Sequence, residues 1–358
     1  MSGNAGEDPT RSPLRVDLPS PAGGGGLGRG WRAALAAVCG SALVGTMPML
    51  ALRLYAGGIG ATSMLFWRYG LALILMGAVA AALRLNLRRE WRAGGWRIAL
   101  VGASLGAAQT LCFWESIKTL ETSVAVLLFY TYPAVTLLID RVVFKHRVRR
   151  VALACVAIIL AGAALITAPG LRGGTIDPRG LAWAIPSPLF YSLYLAFNAR
   201  LLRRHPPLVG AGFLYIGMGA TFAVPAAILG LDVPATSATW LLLLVVAIGP
   251  SALTTTLFSY AVPRLGAASY AIVANVELVT VVAIGMLILG ETVTPGRLAG
   301  AALVVAGIVT HALSRTSASA GRAVGWVERS ETHQTRTGAD GDGFRPAVPG
   351  STHPTRLG

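Results

Sequence analysis

Charge is what this chain lacks first. Asp, Glu, Lys and Arg make up 13% of its 358 residues, about half the ~25% of soluble domains. That shortage, beside 54% hydrophobic residues, excludes an ordinary soluble domain and a disordered chain alike. Cysteine is scarce as well: Cys39, Cys112 and Cys155 lie inside apolar runs, with no paired spacing and no histidine neighbours. That pattern argues against a disulfide framework or a zinc site and leaves small apolar packing residues. Acidic residues are few, 15 against 30 Lys and Arg, for a net charge of +15. A nucleic-acid binder carries such a surplus on a globular surface. Here the charges fall between apolar runs, so no nucleic-acid partner is expected. Paired catalytic acids, a metal-spaced histidine cluster, Gly-x-Ser-x-Gly and His-Glu-x-x-His are missing too. The sequence therefore predicts no enzyme, no metal and no cofactor.

What is present is long apolar runs. A helix needs about 20 residues to cross roughly 30 Å of hydrocarbon. Ten such runs predict membrane helices over Trp31–Arg53, Ser63–Leu85, Trp96–Ile117, Thr122–Phe144, Val151–Leu171, Gly180–Leu202, Gly210–Leu231, Trp240–Val262, Ala267–Leu289 and Arg297–Leu313. The expectation is an all-α integral membrane protein with the lipid bilayer as its surroundings. Residues 1–29 read as a disordered, Gly/Pro-rich tail and 314–358 as a second disordered tail.

Basic residues in short loops set orientation. One set of alternate junctions holds fourteen of them, including Arg88, Arg89, Arg92, Lys145, Arg149 and Arg150. The other holds five: Arg53, Lys118, Arg172, Arg179 and Arg297. Both termini are therefore expected in the cytoplasm. The chain also repeats at a shift of 145 residues, which aligns Phe113 with Phe258, Leu120 with Leu265, Leu153 with Leu298 and Gly162 with Gly307. Two five-helix repeats are expected, over 30–172 and 173–313. Five is odd, so the second repeat enters the membrane from the opposite face. Inverted repeats of this kind suit alternating access around a midplane site.

At this point the residues resemble the EamA-type ten-helix members of the drug/metabolite transporter superfamily. The resemblance rests on Phe66-Trp67-Arg68-Tyr69, on Ala125 to Pro133, on Gly266-Ala267-Ala268-Ser269, on Leu289-Gly290-Glu291 and on Gly300 to Gly307. It implies two five-helix bundles around a central cavity, exporting small metabolites across the bacterial inner membrane. Two departures stand out. The family's second-half Glu-Pro pair is here Glu277-Leu278, without proline. Helix six carries Pro186 and Pro188.

Candidate transport residues are the polar groups at membrane depth. A charged side chain there costs at least about 2.5–3.5 kcal/mol. Glu277, near the middle of helix nine, is a candidate for proton binding or for opposing substrate charge; a permanent structural acid is the alternative. Arg68 has three options: binding a substrate carboxylate, pairing with Glu277, or snorkelling outward. Ser187, Tyr191, Tyr194 and Asn198 form one stripe on helix six, and the two tyrosines with Asn198 are candidates for lining the cavity. Tyr132 matches Glu277 under the 145 shift. Tyr130 and Asn275 match each other too, but lie about 200° round their helices from that pair. Only a local break would let both sets face one cavity, so Tyr132 and Glu277 are preferred. Pro48, Pro133 and Pro186 are candidate kinks or gates. Glu115 and Lys118 read as a solvated interfacial pair.

These features predict a secondary transporter in the inner (plasma) membrane. It would export a small organic metabolite, amino acid-like or drug-like, with protons as candidate coupling ions. The alternative is a non-transporting membrane sensor or scaffold.

Overall fold

The computed structural model describes residues 26–120, 122–143, 145, 148–168, 177–288 and 294–314. Most of both predicted tails, together with Gly290 and Glu291, lies outside them. Ten helices among the described residues are long and apolar enough to cross a membrane. They are α1 (Gly30–Ala56), α2 (Ala61–Ala82), α3 (Leu87–Ser116), α4 (Val124–Val142), α5 (Arg150–Thr167), α6 (Pro178–Arg204), α7 (Pro207–Ile228), α8 (Ser237–Leu265), α9 (Ala267–Leu287) and α10 (Pro295–Ser314). Each overlaps its predicted run. The largest offset is at α3, which begins nine residues before Trp96. There the short helix Leu87–Glu90 continues through a kink at Gly94, whose φ of 114° is open to glycine.

Side chains that a soluble protein would bury point outward. Ile74 is 71% exposed, Ile228 76% and Leu287 83%. Such an apolar exterior matches a bilayer, not water.

The chain divides into two compact units, and neither is a sequence repeat. One takes Met1–Ser104 with Phe197–Tyr270; the other takes Leu105–Ala196 with Ala271–Gly358. In the first unit α7 packs on α2 and on the start of α3, while α1 and α2 pack on α8. The α3–α7 contact is very close. A Cβ on Gly217 would lie 1.9 Å from the Ala99 carbonyl oxygen, and one on Gly102 would lie 2.5 Å from that of Leu214. Rings fill the α2–α7 contact, where Tyr69 meets Tyr215 edge-on at 5.0 Å and stacks on Phe222 at 5.6 Å.

In the second unit the end of α3 packs on the start of α6, α4 packs on α5, and α5 packs on α10. The α5–α10 crossing displays the duplication directly. A Cβ on Gly162 would meet the Gly300 carbonyl oxygen at 2.6 Å and the Val304 side chain at 2.9 Å. A Cβ on Gly307 would meet the Cys155 carbonyl oxygen at 3.1 Å and the Ile159 side chain at 2.7 Å. Gly307, Gly300 and Val304 lie 145 positions after Gly162, Cys155 and Ile159. Each repeat thus gives the other the contact it receives, which is the signature of a two-fold axis. Along α10, Gly296 faces Leu165, Gly300 faces Gly162, and Gly307 faces Cys155. Partner numbers fall as α10 numbers rise, so the two fifth helices run antiparallel. The axis relating them crosses the helix direction, and the repeats are inverted.

Candidate functional site

Four helix breaks stand out, three of them at the prolines proposed as kinks and the fourth, in α9, not foreseen. The run of α1 is interrupted at Thr46, with Pro48 in the first turn of the segment Met47–Ala56. α6 is interrupted at Ile185 before Pro186. α4 stops at Phe129 and restarts at Tyr132, with Pro133 in its new first turn. α9 stops at Val273 and restarts at Val276.

The breaks in α4 and α9 are equivalent under the repeat, yet they arise from different chemistry. In α4, Pro133 has no N–H to offer the Phe129 carbonyl. In α9 a side chain competes with the backbone. Asn275 Nδ2 donates to the Ala271 carbonyl at 2.7 Å, where its own N–H would bond in an unbroken helix, and that N–H turns to Ile272 at 3.4 Å. This is how α9 breaks without the expected proline. The two breaks are also joined, because the Tyr132 hydroxyl donates to the same Ala271 carbonyl at 3.2 Å.

The breaks overturn one inference from ideal geometry. Tyr130, set aside as about 200° from Tyr132, has its hydroxyl hydrogen-bonded to the Glu277 carboxyl group. The 100° per residue of a regular helix does not carry through Tyr130 and Thr131, so both residues of the α4 turn reach α9. The pairs Tyr130–Glu277 and Tyr132–Asn275 are then related by the two-fold relation seen between α5 and α10. Glu277 is half-buried at the centre of the 21-residue α9. Tyr132 is 1% exposed, and Asn275 is 0% exposed with an Oδ1 that has no hydrogen-bond partner among the described residues.

Aromatic rings surround this meeting point. Phe129 contacts Tyr130 at 5.6 Å, Tyr132 at 5.4 Å and Tyr191 at 5.4 Å. Tyr191 is edge-on to Tyr132 at 4.8 Å and stacks on Tyr194 at 6.1 Å. The predicted stripe on α6 therefore delivers its two tyrosines here. Ser187 instead bonds the Gln109 carbonyl of α3, and Asn198 belongs to the other unit, where it is fully buried. α6 also fixes α4 through Ser192, whose hydroxyl donates to the Tyr132 carbonyl at 3.0 Å and accepts from Thr136 at 3.0 Å. Phe129, Tyr130 and Asn275 are the members that sequence reasoning passed over.

In the first unit Arg68 has a defined seat. Its Nε donates to Ser251 Oγ at 2.8 Å and its Nη2 to the Pro250 carbonyl at 3.5 Å. Pro250 lies in a π-helical stretch of α8, Ala247–Leu253. One residue earlier, Trp67 Nε1 donates to the Asp232 carbonyl at 2.9 Å, and its ring meets Trp240 edge-on at 5.0 Å. Asp232, unnoticed in the sequence, caps α2: its carboxylate accepts from the Gly60 N–H at 2.8 Å and from Ser63 Oγ at 2.9 Å. These donors, the Gly60 N–H above all, hold its carboxyl below the usual carboxylate range. The predicted Glu115–Lys118 pair is present at 2.5 Å. Of the cysteines, all free, Cys112 and Cys155 are buried as packing residues, whereas Cys39 is exposed on its helix. No group of three or more metal-ligating side chains occurs among the described residues.

Inverted repeats and broken mid-span helices define a class: duplicated multi-pass membrane proteins of the inverted-repeat architecture. The chain belongs to the EamA-like transporter family, which matches it at residues 31–168 and again at 178–312. A solved crystal structure of a protein with no named activity is similar, with a TM-score of 0.67, 19% identity, and coverage of 78% of this chain and 98% of the other. At that identity the likeness concerns the fold alone. No curated protein matches the sequence.

Proposed function

We propose that this protein is a secondary transporter that exports a small organic metabolite, amino acid-like or drug-like, by alternating access. Its termini lie in the cytoplasm and its helices in the inner (plasma) membrane, an orientation supported by the fourteen-to-five basic-residue bias. The observation that carries this reading is the pair of symmetry-related breaks in α4 and α9, with Glu277 at mid-span and bonded to Tyr130. Irregular backbone at membrane depth is tolerated where it is enclosed by protein or lines a water-filled path. An ionisable group there is expensive to keep and is by default functional. Glu277 is the proton-exchanging or charge-opposing group, and Tyr132, Tyr191 and Tyr194 flank the solute path. Within the first unit Arg68 braces the irregular stretch of α8 and Asn198 is a solute-binding group, and the breaks at Pro48, Pro133 and Pro186 are the bending points.

Reconstitution into liposomes with a panel of metabolites tests the reading, with wild type set against Glu277→Gln. Solute flux driven by a pH gradient in wild type and absent in the variant supports it. Equal flux in both removes Glu277 from coupling. A panel in which nothing moves favours the sensor or scaffold role.

A further inference from the structure

The two-fold relation in the second unit says what the opposite-facing arrangement must contain. In an inverted-repeat transporter that arrangement arises when the repeats exchange conformations, so each contact now made by a residue of one repeat passes to its counterpart 145 positions away. Hydrogen bonds from α4 to α9 among the described residues include that of the Tyr132 hydroxyl to the Ala271 carbonyl and that of the Tyr130 hydroxyl to Glu277. The counterparts of Tyr132, Ala271, Tyr130 and Glu277 are Glu277, Val126, Asn275 and Tyr132. Exchange therefore seats Glu277 against the Val126 carbonyl and Tyr132 against Asn275.

The first of those contacts is chemically selective. A carbonyl oxygen accepts only, and an ionised carboxylate also accepts only. Glu277 can take the seat Tyr132 now holds only when its carboxyl carries a proton to donate. The Val126 carbonyl already accepts the Tyr130 N–H at 3.0 Å, and its second lone pair is the acceptor required. The second contact gives a role to Asn275 Oδ1, which is buried and has no partner among the described residues. It is the acceptor for the Tyr132 hydroxyl once that hydroxyl leaves Ala271.

We infer that Glu277 is ionised in the arrangement seen here and protonated in the opposite-facing one, where it donates to the Val126 carbonyl while Tyr132 donates to Asn275 Oδ1. This rests on the alternating-access reading above. The only covalent change is one O–H bond, formed on Glu277 with a proton from the aqueous side then open and broken on the other. Tyr130 of α4 bonds Glu277, and the further titratable groups of the same ring cluster are Tyr132 from α4 and Tyr191 and Tyr194 from α6. Tyrosines ionise near pH 10 in water, about two units above the range needed here. Among the described residues His311 on α10 and Cys155 on α5 are buried titratable side chains of the neighbouring helices.

Hydrogen exchange read by mass spectrometry on the full chain in nanodiscs, at about pH 5 and about pH 8, tests this. The readout is protection at residues 57–60 and 232–236 on one face and at 84–86 and 203–207 on the other. In wild type, acidification moves protection from one face to the other. Glu277→Gln, whose amide donates but takes up no proton, shows the acid pattern at both pH values. Tyr132→Phe, which loses the present donor and keeps the ring, moves toward the acid pattern at about pH 8. Asn275→Leu, which loses the waiting acceptor, keeps the neutral pattern at both. His311→Gln retains the wild-type response. A Glu277→Gln variant that still responds to pH as wild type does overturns the inference. So does a wild type without a pH response; if that wild type moves solutes in liposomes, only the protonation assignment falls, and if it moves none, the transporter reading falls with it.

Discussion

Arg68 and Glu277 both meet irregular backbone at membrane depth, and their surroundings differ. Arg68, in the first unit, meets the irregular stretch of α8 with direct hydrogen bonds to Ser251 Oγ and the Pro250 carbonyl. A cation that satisfies an exposed carbonyl relieves two costs together, its own burial and that of the unpaired backbone oxygen. Glu277, in the second unit, meets the irregular stretches of α4 and α9 as an acceptor. The freed Ala271 carbonyl is satisfied without it, by Asn275 and Tyr132. Similar backbone devices thus produce a tie in one unit and an exchangeable acid in the other. What decides between them is whether the charged group completes the backbone's hydrogen bonding or only borders it.

The contrast breaks hardest at Glu277. Glu277→Gln keeps shape and hydrogen-bonding capacity, so its stability stays within about 1 kcal/mol of wild type. Flux driven by a pH gradient is lost altogether, and proteoliposome transport beside thermal unfolding in detergent separates the two effects. Arg68→Met does the reverse. It leaves Ser251 and the Pro250 carbonyl without their donor, a loss of ~1–3 kcal/mol, read as a lower Tm, while flux per folded molecule is retained. A variant that keeps its Tm and loses flux would instead make Arg68 a substrate-binding group. Tyr130→Phe is smaller again. A hydrogen bond to a charged acceptor is worth ~1.5–3 kcal/mol, so its loss lowers gradient-driven flux about tenfold, with Tyr194→Phe as the weaker neighbour for comparison.

The same contrast shows what could be read before the coordinates. Spans were legible because the apolar runs are long and separated by short polar or charged junctions, and every one of the ten is overlapped by a helix. The duplication was legible because its register holds through Gly162 and Gly307, positions that close packing confines to small residues. Tyr130 was not, since periodicity assumes a continuous helix and the break falls on that residue. Its signals were present: Pro133 four residues after Phe129, and an asparagine at position 275 of a mainly apolar run. Asp232 gave no local signal at all. A capping residue is found in sequence beside the helix it caps, and here α2 takes its cap from a loop about 170 positions downstream.

That distant cap yields the smallest effect and the simplest sign. Asp232 is exposed, and donation from Gly60 and Ser63 lowers its pKa in the folded protein. A carboxyl whose folded pKa is depressed contributes stability that is fully present above its unfolded value, about 3.9. The contribution is lost as pH falls through the folded value. Asp232→Asn, which keeps the side-chain oxygen and removes the charge, therefore melts slightly below wild type at neutral pH. The gap stays constant down to about pH 4 and closes below it. Thermal unfolding of both proteins across that range checks the prediction. A gap that widens on acidification would mean the carboxylate is not the form that holds the loop to α2. A closing gap places the titration of Asp232 well below the physiological range, so this cap holds α2 in its ionised form throughout that range.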